Sequence, residues 1–341
     1  MKKSLMFAIL AVLFLLCSQV DASYRHRNDA SEEYLDELTG AKSSNLVEVV
    51  EFGSNPGNLK MYKFVPEPEP VNAPLIVACH GTSENAHLYS DRIGWNELAQ
   101  KYGLIILYPA QTRANNTTLG FRWYSPENAL PGKGESGSVR EMIENMKQNH
   151  VIDEKRIFVT GFSAGASFAT ALCCNYPDIF CAGAIMSGTP FGCATNLQEG
   201  FVAMFKGVIK APKRWAKLVT DTLPGYEGSF PRLLVFHGDK DRTVNPLNMK
   251  ELVKQFTALH GSDDNCYQEM PLKDHKYRAY YDNTGSVVVE TIEIAGMGHT
   301  YAIDPGTETD QGGKPGSFAK EVGIYSAYYC LRSWGLVVDN R

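Results

Sequence analysis

The sequence lacks several features that mark whole classes of protein. It contains no Cys-x-x-Cys pair, no internal repeat and no low-complexity segment. Its formal net charge of −5 gives it no basic excess of the kind used to bind nucleic acid or an acidic membrane surface. We therefore expect neither partner and no cysteine-based metal site. The 341 residues, 44% hydrophobic and 21% charged, are instead typical of a globular protein with ample core.

Long hydrophobic runs are also missing, except for one at the N-terminus. A basic start precedes the apolar run Leu5 to Cys17, which is too short to span a bilayer and is typical of a secretory signal. We predict a signal peptide over 1–22 with cleavage after Ala22. Cys17 leaves a lipoprotein open, but Leu16 occupies the site where a small residue is needed. The mature protein is expected to be secreted, extracellular or periplasmic, without a membrane anchor.

The number of cysteines constrains disulfide bonding. Of eight cysteines, Cys17 lies in the signal, which leaves an odd number, 8 − 1 = 7. An oxidising compartment permits disulfide bonds, and we expect some, with at least one thiol unpaired or bonded between chains. Cys79 and the Cys173-Cys174 pair lie in apolar segments that favour buried free thiols. The pairings stay open.

Composition divides the chain into a leader and one domain. Residues 23–45 are polar and charge-rich, and we interpret them as a leader before a single domain at 46–341. Asn45 to Phe52 and Lys60 to Val65 alternate apolar and polar residues around a turn, which predicts a hairpin at a sheet edge. Residues 194–230 fit neither periodic pattern and are expected to form an excursion over the sheet, a candidate lid.

Short apolar runs alternate with helical stretches through this domain. The runs predict strands at Leu75 to Cys79, Leu104 to Tyr108, Ile157 to Thr160, Gly183 to Met186, Leu233 to Phe236 and Val287 to Ile294. The stretches between or after them predict helices near 89–102, 136–149, 164–175, 246–260 and 317–333. Continuous apolar strands separated by helices predict an α/β fold, with a mostly parallel central sheet and helices on both faces.

One pentapeptide carries a candidate nucleophile. Gly161-Phe162-Ser163-Ala164-Gly165 follows an apolar strand and precedes small and apolar residues suited to a helix. A nucleophile elbow has this order, with its serine at a strained turn above the carboxyl end of a sheet. The glycines are needed because a side chain at either position would collide with the neighbouring strand or helix. Ser163 is therefore the candidate nucleophile.

A serine nucleophile needs a base, and in this chain order the base is a histidine near the C-terminus. His260, toward the end of a helix, and His275, in a charged segment, occupy ordinary solvated positions. His299 follows the last strong strand through a glycine-containing turn, where a catalytic loop belongs. His299 is the predicted base.

The acid that orients the base is expected in the loop after the strand ending at Phe236. Asp239 and Asp241 compete for this role. Asp239 stands next to a glycine, where its carboxylate often bonds the amides of the turn itself, so we favour Asp241. His237 is expected to brace the same turn.

Two backbone N–H groups are expected to stabilise the developing oxyanion. One belongs to Ala164, directly after the nucleophile, and the second to the loop after the third strand. Gly81 permits close approach there, so the amide of Thr82 is the candidate. The two N–H groups together form an oxyanion hole. A Ser–His–Asp relay with such an oxyanion hole hydrolyses esters through an acyl-enzyme, and needs no metal or cofactor.

Aromatic residues flank this constellation and are candidates for substrate binding. Phe162 precedes the nucleophile, Tyr301 follows the histidine, and Trp123 lies in a loop after the fourth strand. An aromatic lining suits a hydroxyacid ester or a feruloyl ring. The alternative is that these rings pack the upper surface of the domain.

A series of motifs in order carries a resemblance to a known family. The segments are His80 to Ala86, Gly94-Trp95, Tyr108-Pro109, Val151 to Asp153, Arg156 to Gly165, Tyr176 to Asp178, Pro224 to Tyr226, His237 to Asp241, Gly296 to His299 and Ser333 to Leu336. With them the chain resembles the secreted poly(3-hydroxybutyrate) depolymerase family, esterases of the α/β-hydrolase fold that include feruloyl and acetylxylan esterases. The resemblance implies Ser163, Asp241 and His299 as the triad.

The chain departs from the family pattern at three places. Thr82 stands where many members carry cysteine, and Ala166 where glycine is usual. The sequence stops at Arg341, without the linker and polymer-binding domain usual in depolymerases of solid polyester. This favours soluble oligomers, amorphous polyester or plant cell-wall esters.

We therefore predict a secreted serine esterase that hydrolyses poly- or oligo(3-hydroxybutyrate). The nearest alternative is a feruloyl or acetylxylan carbohydrate esterase, which would use the same triad in a different pocket. The alternative of another class is a catalytically silent binding protein on a hydrolase scaffold.

Overall fold

The computed structural model describes residues 45–337. The predicted signal peptide and residues 23–44 of the predicted leader lie outside this range. The strands are β1 (Val47–Val49), β2 (Lys60–Phe64), β3 (Ala73–Cys79), β4 (Ile105–Ala110), β5 (Ile152–Phe162), β6 (Ala182–Met186), β7 (Arg232–Gly238), β8 (Tyr267–Leu272), β9 (His275–Tyr281), β10 (Val287–Ile294), β11 (Tyr301–Ile303) and β12 (Ala319–Glu321). The helices are α1 (Ala86–Ile93), α2 (Trp95–Tyr102), α3 (Pro126–Ala129), α4 (Gly134–Asn149), α5 (Ala164–Asn175), α6 (Leu197–Lys206), α7 (Pro212–Thr220), α8 (Leu247–Leu259) and α9 (Ser326–Ser333).

One large sheet organises the domain. Its strand order over the described residues is β1-β2-β4-β3-β5-β6-β7-β10-β9-β8. The six central strands from β4 to β10 are parallel, and antiparallel pairs extend the sheet at both edges. The predicted hairpin is confirmed by the antiparallel pairing of β1 with β2 at one edge.

Helices cover both faces of this sheet because the central strands are apolar on both sides. Along β3, Leu75 and Val77 pack into one hydrophobic cluster, while Ile76 and Ala78 pack into the other. The first cluster includes side chains of α4, α5 and α8, and the second includes side chains of α1, α2 and α9. Burying one such aliphatic side chain contributes about 1.5–3 kcal/mol. The predicted α/β-hydrolase architecture is confirmed.

Two predicted helices have different bounds in the structure. The stretch near 89–102 is divided at Gly94, whose φ of 80° closes α1 and precedes α2. The stretch 317–333 begins as a strand, because β12 pairs in parallel with β11, and only Ser326–Ser333 is helical. Gly323, with a φ of 73°, lies between the two elements.

The hairpin of β8 and β9 was not predicted from the sequence. Nearly every residue of β8 is exposed, because it is the edge strand, so its sequence shows no apolar alternation. The placement of His275 in a solvated segment was wrong. His275 lies on β9, is buried, and bonds through Nε2 to the carbonyl of Val322 at 2.8 Å.

The segment 194–230 is a helical excursion from the sheet. It contains α6 and α7, held by a small cluster around the buried Trp215, whose indole donates to Glu251 Oε2 at 2.7 Å. Only Gly200 and Ala203 of α6 are buried. The role of the excursion as a lid stays a prediction. Within 45–337, no helix combines the length and the apolar character needed to cross a bilayer.

Cysteines of the described domain are free thiols. All seven from Cys79 to Cys330 lack a disulfide partner in this part of the chain. Cys79, Cys173 and Cys174 are buried, as the sequence indicated, and burial raises the pKa of each thiol. The expectation of disulfide bonds is therefore not confirmed.

Candidate active site

Ser163 occupies a sharp turn between β5 and α5. Its φ of 55° and ψ of −117° lie outside the regions that residues other than glycine normally adopt. Such a conformation costs on the order of 1–3 kcal/mol and persists only where the surroundings enforce it. Here the Ser163 N–H donates to the carbonyl of Met186 at 2.9 Å, and α5 begins at the next residue. The turn has the geometry of a nucleophile elbow.

The two glycines of the pentapeptide make this turn possible. A Cβ on Gly161 would lie 2.4 Å from the carbonyl oxygen of Gly165. A Cβ on Gly165 would lie 2.3 Å from the carbonyl oxygens of Cys79 and His80. Both distances are too short for a side chain. The first turn of α5 therefore packs directly against the end of β3 and the loop that follows it.

Three side chains from distant parts of the sequence meet at this turn. His299 Nε2 lies 2.8 Å from Ser163 Oγ. His299 Nδ1 lies 2.7 Å from Asp241 Oδ2. The structure thus brings together all three residues that the sequence analysis selected, in an unbroken chain of hydrogen bonds.

Asp241 is held by backbone amides as well as by the imidazole. Its Oδ1 accepts hydrogen bonds from the N–H groups of Thr243 at 2.9 Å and Val244 at 2.8 Å. Burial by itself raises the pKa of this carboxyl. The hydrogen bond from His299 and the electrostatic effect of the neighbouring imidazoles lower the pKa by more. The pKa is therefore held below its ordinary value. The group is a carboxylate at neutral pH, suited to keep a proton on Nδ1 of His299.

Asp239, the competing acid, has a different partner. Its Oδ1 accepts from the N–H of Gly296 at 2.7 Å, in the loop that leads to His299. Asp239 therefore bonds a backbone amide, but the amide lies in the histidine loop and not in its own turn as expected, so this bond links the acid loop to the histidine loop. A Cβ on Gly238 would lie 2.2 Å from the carbonyl oxygen of Met297, so these loops also pack backbone to backbone.

His237 braces the acid loop, as predicted. Its Nε2–H donates to the carbonyl of Val244 at 2.8 Å, and the same nitrogen lies 3.5 Å from Asp241 Oδ2. Burial lowers the pKa of His237, so the ring is neutral at neutral pH. It fixes the turn without adding a charge beside Asp241.

The loop after β3 lies next to the elbow, because β3 is the neighbour of β5 in the sheet. His80 Nδ1–H donates to the carbonyl of Gly81 at 2.8 Å, and its Nε2 accepts from the N–H of Gln111 at 3.1 Å. Burial lowers the pKa of His80 to about 4, which keeps this arrangement neutral. Within 45–337 the N–H of Thr82 has no acceptor. Ala164 begins α5, where N–H groups have no preceding helical turn to bond.

Comparisons with known proteins identify the family. Residues 62–269 match the protein family described as esterase PHB depolymerase. The chain is 39% identical over 292 residues to poly(3-hydroxyalkanoate) depolymerase C of Paucimonas lemoignei, covering 86% of this chain and 70% of that protein. The chain belongs to this esterase family.

The chain is also similar to carbohydrate esterases. The esterase is 31% identical over 272 residues to a probable acetylxylan esterase A of Aspergillus clavatus, covering 77% of this chain and 86% of that one. The solved acetyl xylan esterase from Aspergillus awamori superposes with a TM-score of 0.70 at 27% identity, over 75% of this chain and 94% of that chain. The protein is a carboxylic ester hydrolase.

Aromatic residues near the relay divide into buried and partly exposed ones. Phe162 and Tyr301 are 1% and 0% exposed, and they pack edge to face with ring centroids 5.1 Å apart. Phe162 also lies 4.9 Å from the ring of His299. In this structure the two rings form the packing beneath the relay of the esterase, and their contact with substrate stays a prediction. Trp123 is only partly buried and packs against the first hydrophobic cluster, and its contact with substrate also stays a prediction.

Sequence reasoning missed two buried carboxyl groups beside the site. Glu135, at the start of α4, accepts from Gln111 Nε2 at 2.7 Å and from the N–H of Arg122 at 2.7 Å. It thereby fixes the loop that carries Trp123. Glu84 lies within the His80 to Ala86 motif and contacts both Gly81 and Tyr301. An acidic residue inside a motif that is otherwise small and polar was the available signal for Glu84.

Proposed function

We propose that this esterase hydrolyses its substrates with Ser163 as nucleophile, His299 as general base and acid, and Asp241 as the group that orients the imidazole. The observation that carries the proposal is the unbroken relay of 2.8 Å and 2.7 Å hydrogen bonds at a serine with a φ of 55°. Hydrogen bonds of this length place the serine, the imidazole and the carboxylate so that a proton can pass between them without any side chain first changing position.

In the acylation half of the reaction, His299 Nε2 takes the proton of Ser163 Oγ as the oxygen attacks the ester carbonyl carbon. The carbonyl oxygen becomes an oxyanion, which the N–H groups of Ala164 and Thr82 stabilise. One donor of this kind contributes about 2.7–4 kcal/mol to transition-state stabilisation. The carbon–oxygen bond to the alcohol then breaks, and the imidazolium gives its proton to the leaving alcohol.

In the deacylation half, water replaces the alcohol. His299 takes a proton from the water as it attacks the acyl carbon of the Ser163 ester. The second tetrahedral intermediate collapses, the carboxylic acid leaves, and Ser163 Oγ regains its proton from the imidazolium. Asp241 stabilises the imidazolium in both halves.

We propose aliphatic 3-hydroxyalkanoate esters, as polymer or oligomer, as the substrate. The relative named as a poly(3-hydroxyalkanoate) depolymerase is 39% identical to this chain, against 31% for an acetylxylan esterase. A hydroxybutyrate chain is apolar apart from its ester groups, so it favours an apolar surface beside the site over a sugar-binding one.

An exposed apolar face on α6 supports this substrate class. The face consists of Leu197, Phe201, Val202 and Phe205, which are 50%, 38%, 48% and 40% exposed. The two phenyl rings lie parallel with centroids 6.1 Å apart. Exposed apolar patches on soluble proteins often mark a binding surface. The helix adjoins the acid loop, because the N–H of Asn245 donates to its Met204 carbonyl at 2.7 Å.

The esterase is also proposed to act outside the cytoplasm after removal of residues 1–22. The support for export is the basic start and apolar run at the N-terminus. A polymeric ester, the larger form of the proposed substrate, is too large to enter a cell. Detection of the mature N-terminus at Ser23 in the culture medium would test this proposal.

A substrate panel on wild type and Ser163→Ala tests the proposed function. We expect wild type to hydrolyse 3-hydroxybutyrate oligomers and p-nitrophenyl butyrate, and Ser163→Ala to lose about three orders of magnitude or more in kcat. Ser229→Ala, at an exposed serine of the excursion, is the matched control and should retain wild-type rates.

The same panel separates the alternatives. Hydrolysis of acetylated xylan or methyl ferulate, but not of hydroxybutyrate oligomers, would favour a carbohydrate esterase, as the similarity to acetylxylan esterases suggests. A wild-type protein that neither hydrolyses p-nitrophenyl butyrate nor reacts with a fluorophosphonate would be a silent binding protein, and the proposed mechanism would be wrong.

A further inference from the structure

Glu84 is a buried carboxyl group that the proposed mechanism does not use. It stands between the loop after β3 and the start of α1, and is 1% exposed. A carboxyl group so fully removed from water is costly unless its oxygens are hydrogen-bonded. Both oxygens of Glu84 have partners: one in the loop after β3, and one on the strand that follows His299.

The first partner is the oxyanion loop. Glu84 Oε2 accepts from the N–H of Gly81 at 2.9 Å, directly before Thr82. The Glu84 N–H in turn donates to the carbonyl of Gly81 at 3.3 Å, so the side chain closes a tight turn around the loop. Ser83, within this turn, has a φ of 65°, a conformation that needs such outside support.

The second partner belongs to the strand that follows the histidine. The Tyr301 hydroxyl lies 3.2 Å from Glu84 Oε1, and the two residues are 217 positions apart in the sequence. Tyr301 packs against Phe162, whose ring contacts His299. One carboxyl group therefore connects the loop with the oxyanion donor to the packing beneath the general base.

We propose that Glu84 is a positioning residue that holds the oxyanion loop and the histidine loop in their catalytic arrangement. It acts through Gly81 and Tyr301 and does not touch the reacting atoms. This inference rests on the proposed function, since it assigns the oxyanion donor to the loop after β3.

Glu84 also changes its charge in the mildly alkaline range. Burial raises its pKa to about 8, and the bonds from Gly81 and Tyr301 oppose the rise only in part. The titratable groups near it keep their charge state. Burial lowers the pKa of His80 to about 4 and raises those of Tyr89 and Tyr301 well above their ordinary value.

Two buried thiols nearby also stay neutral. Burial raises the pKa of Cys79 at the end of β3 and of Cys330 on α9 well above the ordinary value. Below about pH 8, Glu84 is accordingly a neutral acid beside neutral histidine, tyrosine and cysteine side chains, while the charge of Arg92 acts on Tyr301, the partner of Glu84. Above that pH it becomes an anion behind the loop where the oxyanion forms, which opposes the transition state.

The pH dependence of kcat and kcat/KM for a soluble 3-hydroxybutyrate ester tests the inference. For wild type, we expect kcat to fall about tenfold from about pH 7 to about pH 9.5, with a midpoint near the Glu84 pKa. Glu84→Gln cannot ionise, but it offers an oxygen to Gly81 and an amide to Tyr301. This variant should retain kcat at neutral pH within about threefold and lose the alkaline decline.

Two further variants separate positioning from mere stability. Glu84→Ala should lower kcat about tenfold or more at every pH while KM changes less than about threefold. Tyr301→Phe keeps the ring but removes a bond that lowers the Glu84 pKa, so it should shift the alkaline decline to higher pH. Melting temperatures of all variants show whether each protein is folded.

The inference is overturned if Glu84→Gln keeps the wild-type alkaline decline, or if folded Glu84→Ala has wild-type kcat. These outcomes leave the proposed function intact, provided that Ser163→Ala still abolishes hydrolysis. If wild type itself hydrolyses no ester, both the proposed function and this inference are wrong.

Discussion

Asp241→Asn is the substitution that tests the relay most directly, because the structure fixes how the new amide must lie. Asp241 Oδ1 accepts from two backbone N–H groups, of Thr243 and Val244. In the variant the carbonyl oxygen has to stay on this side, since turning the NH2 group toward two donors would lose both hydrogen bonds. Its NH2 group therefore faces His299 Nδ1.

The magnitude follows from this orientation. Each buried donor left without an acceptor costs about 1–3 kcal/mol, so the flipped amide is disfavoured by about 2–6 kcal/mol. Facing an NH2 group, His299 Nδ1 must accept, which puts the imidazole proton on Nε2. That nitrogen then cannot take the proton of Ser163. The same change in a serine-protease triad lowers kcat about 10⁴-fold. We expect a loss of about 10³–10⁴-fold here, equivalent to about 4–5.5 kcal/mol.

The assay is steady-state hydrolysis of p-nitrophenyl butyrate at neutral pH, with circular dichroism to confirm the fold. Asp239→Asn is the matched control, because it is the same chemical change two residues away. Its side-chain oxygen can still accept from the N–H of Gly296, so kcat should stay within about threefold of wild type.

Two results would refute the reasoning. One is a kcat for Asp241→Asn within about tenfold of wild type, since no productive relay survives in the orientation derived above. The other is an equal loss in Asp239→Asn, which would show that the loop tolerates no amide at all and that the effect is not one of tautomer.

Two further predictions concern the surface and the thiols. Phe201→Ser with Phe205→Ser should weaken adsorption to, and hydrolysis of, an amorphous polyhydroxybutyrate film by about tenfold or more, because each exposed ring can bury apolar area worth about 1–2 kcal/mol. The same double variant should hydrolyse p-nitrophenyl butyrate at the wild-type rate. Val50→Ser, the control at another exposed site, should hydrolyse the film at the wild-type rate. Equal losses of the double variant on both substrates would contradict a surface role. For the thiols, Ellman's reagent should react with Cys181 and Cys266 in the native protein and with the remaining five of the seven only after unfolding. Fewer than seven reactive groups in the denatured mature protein would indicate a disulfide.

Local sequence signals predicted the elements that carry the relay. The strand of continuous apolar residues before Ser163, its flanking glycines and the small residues after it determine the elbow, because each acts on its immediate neighbours. The order Ser, Asp, His that this architecture uses then located the two loops. The hairpin of β8 and β9 was not predicted, since an edge strand with exposed side chains shows no periodic pattern of apolar residues.

Choices between nearby candidates depended on partners far away in the sequence. Asp239 and Asp241 are two residues apart and chemically equal, and only the fold directs one to Gly296 and the other to His299. From sequence, it also stayed open whether the aromatic rings bind substrate or pack the domain, because exposure depends on what packs above a residue.

The sequence by itself determined the α/β architecture and singled out Ser163 and His299, since apolar periodicity and glycine spacing act over short distances. The sequence favoured Asp241 over Asp239, and the tertiary structure bonds Asp241 to His299; only the tertiary structure connects Glu84 to both Gly81 and Tyr301. Hydrogen bonds and burial between residues remote in the chain exist only after the sheet has brought its loops to one edge. No local pattern encodes them.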